Sequence, residues 1–122
     1  MASSSEPKIV TLKAAAAITR GKAVKVGADD DHIAVASAAT DKSIGLIQNT
    51  TTAAEDFAEI ALPGGGAKGL LGGTVANGDM LAPDSNGALV ATTTENDRVI
   101  AMAMQAGVAN DYIDVEVIAA VH

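Results

Sequence analysis

The chain repeats itself: four short segments of its first half recur, in the same order, in its second half. The matched segments are Gly21–Val24 with Gly78–Leu81, Val35–Ser37 with Val90–Thr92, Asp41–Leu46 with Asp97–Met102, and Asp56–Leu62 with Asp111–Val117. The separation between partners stays between 55 and 57 residues. Four ordered matches at nearly the same spacing indicate a tandem duplication. The sequence therefore predicts two similar units, at about residues 21–62 and 78–117.

The repeated segments have the character of short β-strands. They are rich in Val, Ile and Leu, and clusters of Gly, Asn, Asp, Thr or Pro separate them. Alanines at Ala14–Ala17 favour a helix, but Gly21 follows too soon for more than a loop or one helical turn. Pro63–Gly69 is interpreted as the linker between the repeats. We predict an all-β fold with little helix: a small barrel or sandwich built from two tandem repeats, in a single domain over residues 9–122.

The last matched pair of segments predicts which side chains face the core. Alternation along a strand places Ala58, Ile60 and Leu62 on one face, and Ile113, Val115 and Val117 are their partners. The opposite faces carry Phe57, Glu59 and Ala61, and Tyr112, Asp114 and Glu116. We predict that the first set is buried. Phe57 and Tyr112, beside carboxylates, either form part of a covered surface or cap the end of the barrel.

Large apolar side chains are scarce for a chain of this length. Alanine accounts for 26 of the 122 residues, and Phe57 and Tyr112 are the only aromatic residues. Burying an alanine removes little apolar area from water, whereas ordering each residue costs about 1.5 kcal/mol. We therefore expect stabilisation by a partner surface, in a homo-oligomer or on a larger scaffold.

Charge and residue types argue against several classes of function. The net charge of −7, with eight scattered Lys and Arg residues, is unsuited to binding nucleic acid. No segment has the ~20 apolar residues of a membrane span, and the N-terminus lacks the basic region of a signal peptide, so we expect cytoplasmic synthesis. With no cysteine and two histidines, we find no catalytic constellation and predict a protein that is not an enzyme and needs no cofactor.

Two segments resemble ligand sites only superficially. Asp29–His32 is acidic, but adjacent strand residues point to opposite faces and do not converge on one ion, so we interpret it as a solvated turn and predict no metal site. In the glycine-rich Pro63–Gly69, Lys68 is followed by Gly69 rather than by the Ser or Thr of a phosphate-binding loop.

The N-terminal segment has two different parts. Residues 1–8 are polar and form, in our interpretation, a flexible arm. Ile9, Val10 and Leu12 have strand propensity and lie outside the predicted repeats. One hypothesis is that residues 1–12 add to the sheet of a neighbouring molecule. The alternative is an ordinary first strand with a frayed tail. The candidate partner-binding residues are Ile9, Val10, Leu12, Phe57 and Tyr112.

The order of these motifs resembles the capsid cement, or head decoration, proteins of tailed bacteriophages. The resemblance runs from Lys8 to Val121. It rests on Gly21–Val26, Ser43–Ile47, Phe57–Leu62, Leu71–Gly73, Gly78–Leu81, Asn86-Gly87, Val99–Ala101 and Tyr112–Val117.

The resemblance implies a structural protein that binds the outer surface of the major capsid protein lattice and stabilises the head. It implies a virion location and self-association, with a homotrimer favoured over a homodimer. One alternative is a carbohydrate-binding or adhesion β-sandwich, although such modules use exposed aromatic platforms and this chain has two aromatics. A minor alternative is a lipoyl- or biotinyl-like carrier domain, but Lys42 lies inside the first repeat rather than between the two.

Overall fold

In the computed structural model, residues 8–27, 32–93 and 97–121 are described, and they contain strands and turns but no helix. The strands are β1 (Ile9–Ala14), β2 (Ala23–Val26), β3 (His32–Val35), β4 (Ser43–Ile47), β5 (Phe57–Ala61), β6 (Gly66–Leu70), β7 (Met80–Pro83), β8 (Leu89–Ala91), β9 (Arg98–Ala103) and β10 (Tyr112–Val121). The predicted all-β class is confirmed. Most of the predicted arm, the acidic segment at residues 29–31 and His122 lie outside the described residues.

The ten strands form two five-stranded sheets with the same strand order. In the N-terminal unit (β1–β5), β1 pairs with β5, β5 with β4, β4 with β2, and β2 with β3. In the C-terminal unit (β6–β10), β6 pairs with β10, β10 with β9, β9 with β7, and β7 with β8. Each strand of one unit therefore has a counterpart five strands along the chain.

Details outside the strands correspond in the same way. In each unit one isolated antiparallel bridge ties the loop after the first strand to the loop before the fifth. In each unit a non-glycine residue with a φ of 74° precedes the fifth strand, and a glycine with a φ near 90° precedes the second. The counterparts are Ile18 and Val75, Thr51 and Gly107, Glu55 and Asn110, and Gly21 and Gly78.

The two units close their sheets differently. β1 pairs in parallel with β3, which turns the N-terminal sheet into a closed barrel. The equivalent position in the C-terminal sheet is the seam between its two edge strands, β6 and β8. This seam has one isolated parallel bridge, Leu71 to Leu89. The N-terminal unit bridges the remaining gap: the Leu70 amide donates to the Gly21 carbonyl, and the Ala23 amide donates to the Gly87 carbonyl, both at 2.9 Å. Residues 21–23 thus complete the seam of the second sheet.

The core is correspondingly divided in two parts. One cluster lies inside the N-terminal barrel and consists of Ala14, Ile18, Val24, Ile33, Ile47, Ala58 and Ile60. The other combines the inward side chains of the C-terminal unit with Ala23, Ala36, Leu46 and Ala61 of the N-terminal unit. The second cluster thus spans the junction of the units, so the two sheets share apolar packing as well as hydrogen bonds.

The predicted core face is confirmed, with one exception on the other face. Five of the six predicted inward residues are buried: Ala58, Ile60, Ile113, Val115 and Val117. Leu62 is partly buried and packs against the N-terminal core. Ala61, predicted to face outward, is 1% exposed. It points away from its own barrel, but the C-terminal unit covers that side.

Two boundaries inferred from the sequence are wrong. Ile9–Ala14 does not lie outside the repeat, because β1 is the counterpart of β6. The glycine-rich segment is not all linker either, because β6 begins at Gly66. It is a strand with few large side chains: a Cβ at Gly69 would lie 2.6 Å from the Leu89 side chain, so the glycine leaves space that Leu89 fills.

The strand pairing also shifts one of the sequence matches by a residue. Val35 pairs with Val24, and Ala91 pairs with Leu81, so the counterpart of Val35 is Ala91 rather than Val90. Alanine-rich segments allow such a slip, because small side chains distinguish poorly between neighbouring alignments.

Candidate interaction surface

The predicted partner-binding residues lie in two different environments. β1 is hydrogen-bonded on both sides, to β3 and to β5, so it is an interior strand of the barrel. Val10 and Leu12 are half-buried and pack against the N-terminal core, whereas the Ile9 side chain is 46% exposed. Phe57 and Tyr112 begin the equivalent strands β5 and β10, with exposures of 68% and 38%. Whether any of the five contacts a partner stays a prediction.

Tyr112 lies at the junction of the two units, in a contact that the sequence does not reveal. Its ring packs against Gly21, where a Cβ would lie 3.1 Å from the ring atom Cε1. The Arg20 guanidinium carbon stands 4.8 Å from the ring centroid, which is cation–π geometry. The partial exposure of Tyr112 therefore reflects a ring held between units.

Gln48 links the same two units through the main chain of β6. Its side-chain nitrogen donates to the Lys68 carbonyl, and its side-chain oxygen accepts from the Lys68 amide, both at 3.1 Å. The Lys68 ammonium lies 2.6 Å from an Asp114 carboxylate oxygen, where both side chains are largely solvated. An exposed pair of this kind contributes at most about 1 kcal/mol.

Arg20, Gly21, Gln48, Lys68 and Tyr112 together line a cavity of about 230 Å³. Sites for small molecules usually measure about 300–1,000 Å³ and bury most of the ligand. The polar groups of this cavity are moreover engaged with one another across the junction. The arrangement is suited to holding the units together and offers no nucleophile paired with a base.

Phe57 has different neighbours from those of Tyr112. Its carbonyl accepts a hydrogen bond from the Asn49 side chain at 2.9 Å. Nearby at the same end of the barrel, His32 Nε2 and a Glu55 carboxylate oxygen lie 2.6 Å apart, and the Lys13 ammonium lies 4.0 Å from Glu55. The Phe57 ring is thus an exposed apolar group beside a small ionic cluster.

The carboxylates with shifted pKa values stabilise turns. The Ser37 amide and the Lys25 ammonium hold the pKa of Asp41 below its ordinary value. The amide and hydroxyl of Thr52 lower the pKa of Asp56 in the same way. The counterparts of these residues also make hydrogen bonds within loops, since Asp97 accepts from the Thr92 hydroxyl and Asp111 accepts from the Val108 amide. These acids cap loops and are not arranged for proton transfer.

Within residues 8–27, 32–93 and 97–121, no three His, Asp or Glu side chains are grouped so that they could hold a metal ion. No helix of the described chain is long and apolar enough to cross a membrane.

The fold resembles that of a known phage protein. No protein-family model and no curated protein sequence matches the chain. Among solved structures, the chain is similar to the N base of head fiber gp8.5 of bacteriophage phi29. The TM-score is 0.70 at 15% sequence identity, and the match covers 90% of this chain and 92% of the phage chain. The two proteins share a fold over nearly their whole lengths.

Proposed function

We propose that this protein is a structural component of a bacteriophage head, a decoration protein that binds the outer surface of the major capsid protein lattice and stabilises the shell. The observation that carries the proposal is the near full-length likeness to the phi29 head fiber base. The order of motifs in the sequence supports the same assignment independently. The role requires neither catalysis nor a cofactor, and it involves no nucleic acid or membrane.

Self-association is part of the proposal, with a homotrimer favoured over a homodimer. Many copies on one shell bind with avidity, so each contact with the lattice can be modest. Exposed apolar side chains support the existence of contact surfaces, because the two most exposed of them, Phe57 and Val108, are 68% and 54% accessible.

A binding experiment on heads tests the proposal. The purified protein is mixed with expanded heads assembled without it, from the phage whose genome encodes it, and bound protein is measured after sedimentation. We expect saturable binding and a higher temperature of DNA release from filled heads. Absence of binding to both expanded and unexpanded heads would rule out the decoration role.

The same structural likeness favours a second candidate, the base of a head fiber. A base would bind heads but would not need to stabilise them. Saturable binding with an unchanged temperature of DNA release would therefore favour the fiber base over the decoration protein.

A further inference from the structure

The contact between the two units provides a template for a contact between molecules. The N-terminal unit presents an acceptor face, formed by Arg20, Gly21 and Gln48. The C-terminal unit presents an insertion face, formed by Lys68, Leu70 and Tyr112. The insertion face fits closely, because a Cβ at Gly21 would lie 2.7 Å from the Leu70 amide nitrogen. Since the units share one topology, each unit carries a counterpart of both faces.

Two of the four faces are unused within the chain. The acceptor face of the C-terminal unit consists of the counterparts Asn77, Gly78 and Met104. The insertion face of the N-terminal unit consists of the counterparts Thr11, Lys13 and Phe57. Both unused faces are open: Phe57 is 68% exposed, Met104 is 41% exposed, and a Cβ at Gly78 would have nothing within 4 Å.

The unused faces are less polar than the used ones at four of the six positions and more polar at one, where Lys13 stands in place of Leu70. Met104 stands in place of Gln48, and Phe57 stands in place of Tyr112. The neutral Asn77 replaces the charged Arg20. If the unused faces were in contact with water alone, we would expect their side chains to be more polar than those of the used faces. Exposed apolar groups at the positions of a working interface indicate a surface that is covered in the assembled state.

The main chain at the second acceptor face is also open. In the N-terminal unit the Gly21 carbonyl and the Ala23 amide bind the other unit. Their counterparts, the Gly78 carbonyl and the Met80 amide, have no backbone hydrogen-bond partner within the described part of the chain. Met80 is also 39% exposed, which extends the apolar character of this edge.

We infer that copies of this chain associate head to tail, with the insertion face around Phe57 of one molecule on the acceptor face around Gly78 and Met104 of the next. Side chains carry this contact, because Lys13 is already paired with His32 in the closed barrel and its strand cannot repeat the Leu70 hydrogen bond. Such a heterologous contact generates a closed ring or an open filament. The inference specifies the proposed self-association and does not depend on binding to a capsid.

Single-thiol variants test the direction of the contact, since the native chain has no cysteine. Thr11→Cys, which places the thiol on the exposed insertion face and keeps Phe57, and Met104→Cys are purified separately, then treated with a short bismaleimide alone and as a mixture. Head-to-tail association predicts covalent dimers in the mixture and few in either variant alone, because an 11–104 pair requires both faces. Ser85→Cys, exposed in the turn that follows β7 at the opposite end of that strand from Gly78, is the control partner for each.

The mass in solution provides the second measurement. We expect light scattering of the native protein to give a multiple of 12.1 kDa. Phe57→Ser should weaken association by about tenfold or more, as expected for the loss of an aromatic anchor. Ile9→Ser, 46% exposed at the opposite end of β1 from Lys13, should not. A native protein that stays monomeric at about 100 μM, or a mixture that cross-links no better than the controls, would overturn the inference; capsid binding could still be observed in either case.

Discussion

The two units share strand order, turns and even backbone dihedral angles, but they differ in how each becomes complete. The N-terminal barrel closes with its own β1 and β3. The C-terminal sheet has one bridge at the equivalent seam, and residues 21–23 of the other unit supply the remaining hydrogen bonds. Two units of the same topology therefore differ in how they close: the N-terminal unit uses its own strands, whereas the C-terminal unit depends on residues of its neighbour.

The same asymmetry appears in the outward faces of the fourth strands. Leu46 is fully buried against the C-terminal unit, whereas its counterpart Met102 is half-buried. Replacing Leu46 by Ala should lower the free energy of unfolding by about 3–5 kcal/mol, because a cavity opens in the shared core. Met102→Ala should cost about 1 kcal/mol. Urea denaturation measures both, and equal losses would contradict the asymmetry.

Gly21 and Gly78 provide a matched pair for the junction itself. Both have a positive φ, 87° and 92°, so alanine is strained at each, at a cost of about 1–2 kcal/mol. At Gly21 alone the new methyl group also meets Leu70. We expect Gly21→Ala to destabilise by about 1–3 kcal/mol more than Gly78→Ala. Thermal unfolding of dilute protein measures the difference; identical shifts would show that the junction can relax.

Arg20 places a cation over the Tyr112 ring, whereas its counterpart Asn77 is neutral. Arg20→Ala should cost about 0.5–1 kcal/mol, as expected for an exposed cation–π contact. Arg20→Lys should retain part of this, since an ammonium also interacts with the ring face. Tyrosine fluorescence reports on the same site, because this chain has one Tyr and no Trp. An unchanged stability of both variants would show that the stacked geometry contributes nothing.

The smallest difference concerns Asp41, whose cationic partner Lys25 has Ala82 as its counterpart in the C-terminal unit. The pKa of Asp41 is lower in the folded protein than its ordinary value of 3.8. Its contribution to stability is therefore present above that value and is lost as the pH falls through the folded pKa. Asp41→Asn should make the loss of stability below about pH 4 shallower.

Lys25→Ala should change the same acid limb in the same direction but by less, because the Ser37 amide still binds the carboxylate. Unfolding midpoints in denaturant at a series of pH values give both slopes. An Asp41→Asn variant whose stability falls as steeply with acid as that of the native protein would exclude Asp41 as a contributor.

The sequence predicts the fold class and the buried faces of β5 and β10 because these depend on local patterns. Alternation identifies Ile60 and Val115 as core residues without knowledge of their partners. The sequence predicts a linker at β6 because glycines have low strand propensity. This segment is a strand because it pairs with β10, and local propensity does not reveal that pairing. The sequence predicts too short a repeat because β1 has apolar residues where β6 has glycines, and the two segments therefore lack visible similarity.

The candidate surface was the least predictable part. Phe57 and Tyr112 are conspicuous as the only aromatics, but Arg20, Gln48 and Lys68 have no distinctive sequence context. Their contacts join residues that are distant along the chain, and local patterns carry no information about such contacts. One signal was present, namely the alignment of Gly21 with Gly78. Glycine at one position of both repeats indicates a backbone conformation that other residues rarely adopt.

The bonds made by residues 21–23 also set a direction for vectorial synthesis on the ribosome. The N-terminal unit emerges first, and because it closes its own seam it can fold before β6 has been made. The residues at the start of its second strand then offer the Gly21 carbonyl and the Ala23 amide as hydrogen-bonding partners for the later unit. The unit that closes on its own is thus synthesised first, and the unit that needs its neighbour is synthesised second. A circular permutant that starts within residues 62–65 would reverse this order, leaving an open seam on the nascent chain until the other barrel appeared.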